Sequence, residues 1–152
     1  MEAGTVSLVT VGKKATAHFR KRKYNVVESF PGFFDSIEYG PTSAIMESAT
    51  KDFVENMYDE VYIVFNEFKS VIAQNRKIEK VLPIDPSSFD MKSNDDSKSS
   101  IDYIYEPNSE AILEKLLPLH LNTQLWKAVL ESNASEQGAR MSAMDSATEN
   151  AK

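Results

Sequence analysis

Apolar and β-branched residues come in short bursts along this chain, and the spacing within each burst predicts its secondary structure. Residues 5–11 (TVSLVTV) are rich in β-branched positions and end at Gly12, which predicts a buried strand. Residues 13–23 set Ala15, Ala17 and Phe19 inside a basic run and predict a short surface helix. Residues 24–30 (YNVVESF) predict a second strand, closed by Pro31-Gly32. Phe33, Phe34, Ile37 and Tyr39 form an apolar connection to Gly40-Pro41. Thr42 or Ser43 then caps a helix reaching about Tyr58, with Ile45, Ala49, Phe53 and Met57 on one face.

Residues 60–68 (EVYIVFNEF) are apolar on both alternating sets, which predicts a strand covered on both faces. Residues 74–84 (QNRKIEKVLPI) alternate instead, with Ile78, Leu82 and Ile84 facing one way and Pro83 suiting an edge strand. The short link between them predicts an antiparallel hairpin, while the earlier strand–helix–strand order predicts parallel pairing. The expected fold class is therefore α/β with a mixed sheet and flanking helices. Residues 86–100 have the Ser/Asp/Asn/Lys composition of a mobile loop, and residues 101–105 (IDYIY) predict a short strand. Asn108 is placed to cap a helix with Glu110 in its first turn, and Pro118 is expected to break or kink that helix.

Residues 121–152 contain no proline and one glycine, Gly138, so they predict a single helix of about 30 residues, about 45 Å long. Its stripe runs Leu121, Leu125, Ala128, Ser132, Ser135, Ala139, Ala143 and Ala147, close to a heptad. Small residues admit a close neighbour but bury little apolar area, so the distal half is expected to need a partner helix. The expected division is an α/β domain over residues 1–107 and a helical segment over residues 108–152, with the long helix from about residue 119.

At 152 residues, one domain is the default, and a hydrophobic content of 41% suffices for a core. A net charge of −6 argues against a general nucleic-acid binder. The absence of cysteine excludes disulfides, thiolate zinc sites and thiol catalysis. The apolar runs are too short to span a membrane, so direct membrane insertion is not expected, and residues 1–12 carry no signal or transit signature.

Candidate chemistry is sparse. Gly12-Lys13 after a strand invites a phosphate-loop reading, but the required glycine five residues earlier is Ser7 and the hydroxyl after the lysine is Lys14. His18 and His120 are the only histidines, and neither stands at metal-ligand spacing to another. Asp95-Asp96 beside Ser97–Ser100 reads as loop polarity rather than a cation site. No catalytic residue, cofactor or metal is expected. Glu136 and Arg140 stand at i, i+4 on the long helix and predict a salt bridge. Tyr105-Glu106-Pro107 reads as a strand end followed by a helix cap.

The ordered string ESNASEQGARMSAM (residues 131–144) with Ala147, Thr148 and Asn150 resembles the C-terminal helix of the F-type ATP synthase gamma subunit. LVTVGKKATAHF, EVYIVFNEF, IEKVLPI and DYIYEPNSEAILEKLLP resemble the same family, so the likeness covers nearly the whole chain. It is weakest over residues 29–42 and 87–100. The resemblance implies a partial Rossmann-like domain joined to half of an antiparallel coiled coil. The implied function is that of a non-catalytic rotor shaft, transmitting torque between the c-ring and the catalytic alpha–beta ring. It implies that Glu136 and Arg140 lie where the shaft meets that ring, with Arg140 facing an acidic loop of a beta subunit. It implies that Tyr105 and Glu106 face the c-ring and the epsilon subunit. The implied location is the cytoplasmic face of a bacterial plasma membrane, held there by partners.

The family's N-terminal helix, its first central strand with the following helix, and its C-terminal signature have no counterpart here. An internal piece of the subunit is therefore expected, with strands at Thr5 and Glu60 that either pair directly or bind a second copy through their edges. A free-standing α/β adaptor that docks through its C-terminal helix is the alternative reading. A degenerate nucleotide-binding regulator rests on fold analogy alone.

Overall fold

The computed structural model describes residues 6–85, 106 and 108–152. The chain divides into two compact units, Met1–Glu38 and Tyr39–Lys152. The strand expected at residues 101–105 and the loop at residues 86–100 lie outside the described residues.

In the first unit, β1 (Ser7–Val11) and β2 (Asn25–Phe30) pair in parallel across α1 (Lys13–Lys21). Gly12 makes the strand-to-helix turn at φ 100°, a region that L side chains rarely adopt. The turn is tied by hydroxyls: Thr16 Oγ1 donates to the Gly12 carbonyl at 2.9 Å and meets Thr10 Oγ1 at 3.1 Å. Thr10 and Thr16 are both buried. A 3-10 turn (Phe33–Asp35) follows β2, and Phe33 is buried edge-on to Phe30 and Phe34.

The second unit contains α2 (Tyr39–Val54), β3 (Val61–Phe68), β4 (Gln74–Leu82) and α3 (Ser109–Asn150). β3 and β4 form the expected antiparallel hairpin, with Val64 opposite Ile78. Met46, Val81, Leu82 and Leu121 make the core, with Phe53, Val61, Ile63, Ile84 and Leu125 packed around it. Burying each large apolar side chain contributes about 1.5–3 kcal/mol, which is what holds α2 and α3 on the hairpin.

The α/β character and both pairing modes match the sequence-based expectation, and among the described residues they fall in two two-stranded sheets rather than one. Among the described residues β1 is laddered to β2 and β3 to β4. β3 is covered on one face only, because α2 and α3 supply a single layer. Tyr62 and Val64 stay exposed, together with Ile78 of β4, while Phe65 is buried on the other face. The α2 helix starts three residues before Thr42, with Pro41 in its first turn, where a missing N–H costs nothing. Its buried face centres on Thr42 and Met46 rather than Ile45, and Met57 lies beyond the helix end, exposed.

Asn108 caps α3 as expected, its Oδ1 accepting from the Ala111 N–H at 2.7 Å, with Glu110 in the first turn. The helix then runs unbroken through Pro118. Proline inside a helix loses one backbone bond and costs about 3 kcal/mol. Leu121 and Asn122, one turn later, are buried, and this tertiary contact outweighs the local defect.

Candidate partner-contact surface

The stripe along α3 divides into two parts. Leu121, Ala128 and Ser135 are buried and Leu125 and Ser132 half-buried, so this part packs inside its own unit. Its neighbours there are the hairpin and α2. Ala139, Ala143 and Ala147 are exposed, as are Met141 and Met144. The last three turns of α3 therefore stand clear of the unit that carries them.

Glu136 and Arg140 sit where the covered part gives way to the open part. Arg140 Nη2 donates to Glu136 Oε1 at 2.7 Å and Nη1 donates to Gln137 Oε1 at 3.2 Å. Both side chains are about half exposed, at 53% and 54%. An exposed i, i+4 pair contributes only about 0.3–0.5 kcal/mol, so an incoming carboxylate can take the guanidinium at little cost. Glu106 is exposed just ahead of the Asn108 cap, and Tyr105 lies outside the described residues. The helix climbs about 40 Å between Ser109 and Glu136, so Glu136 and Arg140 do not share one site with the start of α3.

Two clusters escaped the reading of the sequence. On the open face of the hairpin, Glu60 accepts hydrogen bonds from Lys80 Nζ and from the Tyr62 hydroxyl. The Lys80 bond, then the Tyr62 bond, holds the Glu60 carboxyl below its ordinary range. Lys80 and Tyr62 are pushed up, each first by its bond to Glu60. The second cluster is at the edge of β3 that faces away from β4. There the Asn66 N–H donates to Ser132 Oγ at 3.2 Å, and Ser135 Oγ donates to the Asn66 carbonyl at 3.0 Å. The i, i+3 serines were legible as small positions, but nothing local says that they face a strand edge.

A shallow cleft between α2 and α3 is bordered by Glu47, Thr50, Lys51, Val54, Glu55, Pro118 and Asn122. Among the described residues, no group of three or more His, Cys, Asp or Glu side chains converges on a point that could hold a metal. No helix among them is long and apolar enough to cross a membrane.

The family model described as ATP synthase matches residues 1–152. Similar curated proteins are the ATP synthase gamma chains of Chloroherpeton thalassium (45% identical over 154 residues, 98% of this chain and 51% of that protein) and Chlorobaculum tepidum (47% over 149 residues, 98% and 49%). The chain belongs to the ATP synthase gamma-chain family. It spans about half the length of the curated relatives it matches.

Solved structures extend the fold comparison beyond the close gamma-chain relatives. The central stalk and c-ring structure of the Tetrahymena thermophila mitochondrial ATP synthase matches with a TM-score of 0.68 at 22% identity, covering 93% of this chain and 60% of that one. The Euglena gracilis mitochondrial ATP synthase rotor matches with a TM-score of 0.63 at 20% identity, covering 95% and 55%. At such identity the likeness is one of fold.

Proposed function

We propose that this chain is part of the central-stalk rotor of a proton-translocating F-type ATP synthase. Its α/β body couples to the c-ring and the epsilon subunit through the surface around Tyr105 and Glu106. The distal part of α3, with Glu136 and Arg140 at its base, turns inside the alpha–beta ring. Catalysis resides on other subunits, and the complex holds this chain at the cytoplasmic face of a bacterial plasma membrane. The observation that carries the reading is the open end of α3. A helix of 42 residues, about 63 Å long, runs past its own unit and leaves its last three turns exposed.

Such a shaft acts by making different contacts with different states of the ring, since only differential binding shifts an equilibrium between conformations. An arginine fork suits that task, because it holds a carboxylate in a directional two-point contact that a lysine cannot make. The test places Arg140→Lys and Arg140→Ala in the full-length subunit of the assembled membrane enzyme. Gradient-driven ATP synthesis is expected to fall in both, more in the alanine variant, with the thermal unfolding temperature of the isolated subunit unchanged. Synthesis at the wild-type rate in Arg140→Ala would remove the residue from the contact surface.

A further inference from the structure

The rotor reading requires force to pass between the α/β body and α3, and the geometry locates where. We infer that Ser132, Ser135 and Gly138 form the mechanical junction of the shaft, clamping α3 at Asn66 to the edge of β3 that faces away from β4. The inference rests on the rotor function proposed above and adds the residues that make the helix and the body turn together.

Three observations converge on this junction. First, both polar backbone groups of one residue, Asn66, bond to α3: its N–H to Ser132 Oγ at 3.2 Å and its carbonyl to the Ser135 hydroxyl at 3.0 Å. In an antiparallel ladder the N–H and C=O of a residue point the same way, so Asn66 turns both away from β4. An open strand edge of this kind requires cover, and here the hydroxyls supply it. Second, Ser135 is only 2% exposed, so its hydroxyl lies inside the contact. Third, Gly138 follows at the next i+3 position, and a Cβ there would lie 3.1 Å from the Phe68 ring and 3.5 Å from the Val71 Cα. Ser132, Ser135 and Gly138 thus bring the helix backbone closer to β3 than larger residues allow.

This arrangement resists both motions that would uncouple the helix. Rolling α3 by one residue, about 100°, carries both hydroxyls off Asn66. Sliding it by one residue, about 1.5 Å along the axis, breaks the pair as well, because the two bonds share one strand residue. Apolar packing further down at Leu121 and Leu125 opposes such slips through the burial they would lose. The directional bonds at Asn66 add a fixed register to it.

The experiment uses the full-length subunit in the assembled membrane enzyme, comparing wild type with Ser132→Ala/Ser135→Ala and with Ser132→Thr. Protons pumped per ATP hydrolysed, and amide exchange at Asn66, are read on equal amounts of assembled enzyme. The double alanine variant is expected to assemble and hydrolyse ATP while pumping fewer protons per ATP. Its Asn66 amide should exchange about tenfold faster, the loss expected when one or two neutral hydrogen bonds disappear. Ser132→Thr, which keeps the hydroxyl, is expected to couple like wild type. A structural residue alone would change assembly or unfolding without moving the proton-to-ATP ratio. If the double variant fails to assemble, Ser132→Ala, at the more exposed bond, takes its place with the same expectation. Unchanged pumping and exchange in the assembled variant would overturn the junction while leaving the rotor reading intact. A wild-type subunit that supports no ATP-driven pumping would overturn both.

Discussion

Gly138 of α3 presents its bare Cα to Phe68 at the end of β3, where an added Cβ would lie 3.1 Å from the ring Cε2. The contact sets a limit on side-chain size without forbidding every side chain, because Phe68 is 39% exposed and its ring can give by a few tenths of an ångström. Alanine is worth up to about 1 kcal/mol over glycine inside a helix. Gly138→Ala is therefore expected to raise stability by about 0.5 kcal/mol. Gly138→Val adds branched atoms toward the Val71 backbone at 3.5 Å and is expected to cost about 1–3 kcal/mol. Urea unfolding of the two variants checks the pair, and equal shifts of the same sign would contradict it.

The core offers a sharper contrast between neighbours. Leu121 is 3% exposed among Met46, Val81 and Leu82, whereas Leu119 is 54% exposed two residues earlier. Leu121→Ala should cost about 2–5 kcal/mol, and Leu119→Ala less than about 0.5 kcal/mol. Trp126, the only tryptophan, lies edge-on to Tyr39 at 5.8 Å in the same unit, so its fluorescence reports the transition.

The Glu60, Tyr62 and Lys80 cluster makes stability depend on pH at both ends. The Glu60 carboxyl is held below its ordinary value near 4.5, so its contribution is present above that pH and is lost as pH falls through the depressed folded value. Tyr62 and Lys80 are raised above ordinary values near 10.0 and 10.5, so theirs is present below those values and is lost as pH rises past them. All three groups are surface groups, and the effects are small. Glu60→Gln is expected to flatten both limbs of a plot of unfolding midpoint against pH. A Gln variant that keeps the wild-type slope at both ends would show that the cluster is not coupled to folding.

The open face of the hairpin carries Val64 at 71% exposure directly opposite Ile78 at 69%. An exposed apolar cross-strand pair is a site for association, and the isolated chain is expected to self-associate through it. Ile78→Lys should lower the weight-average mass in sedimentation at high concentration, with a stability change within about 0.5 kcal/mol. A wild-type chain that stays monomeric at the same concentration would contradict this expectation.

The chain's own periodicity determined which segments are helix and which are strand. Alternation at β4, β-branched runs at β1 and β3, and the proline-free stretch after residue 121 are local signals, and the structure follows them. The Asn108 cap and the Glu136–Arg140 pair were legible for the same reason: each joins groups three or four residues apart on one helix. Whether a surface is covered is not local. The pattern of β3 permits burial of both faces, but α2 and α3 form a single layer, so Tyr62 and Val64 stay open. Pro118 argues for a break in any isolated helix, yet α3 passes through it because Leu121 and Asn122 are buried one turn later. The stripe of small residues predicted a close neighbour, and a helix as that neighbour. Only the fold, by turning both backbone groups of Asn66 toward Ser132 and Ser135, made that neighbour the edge of a strand.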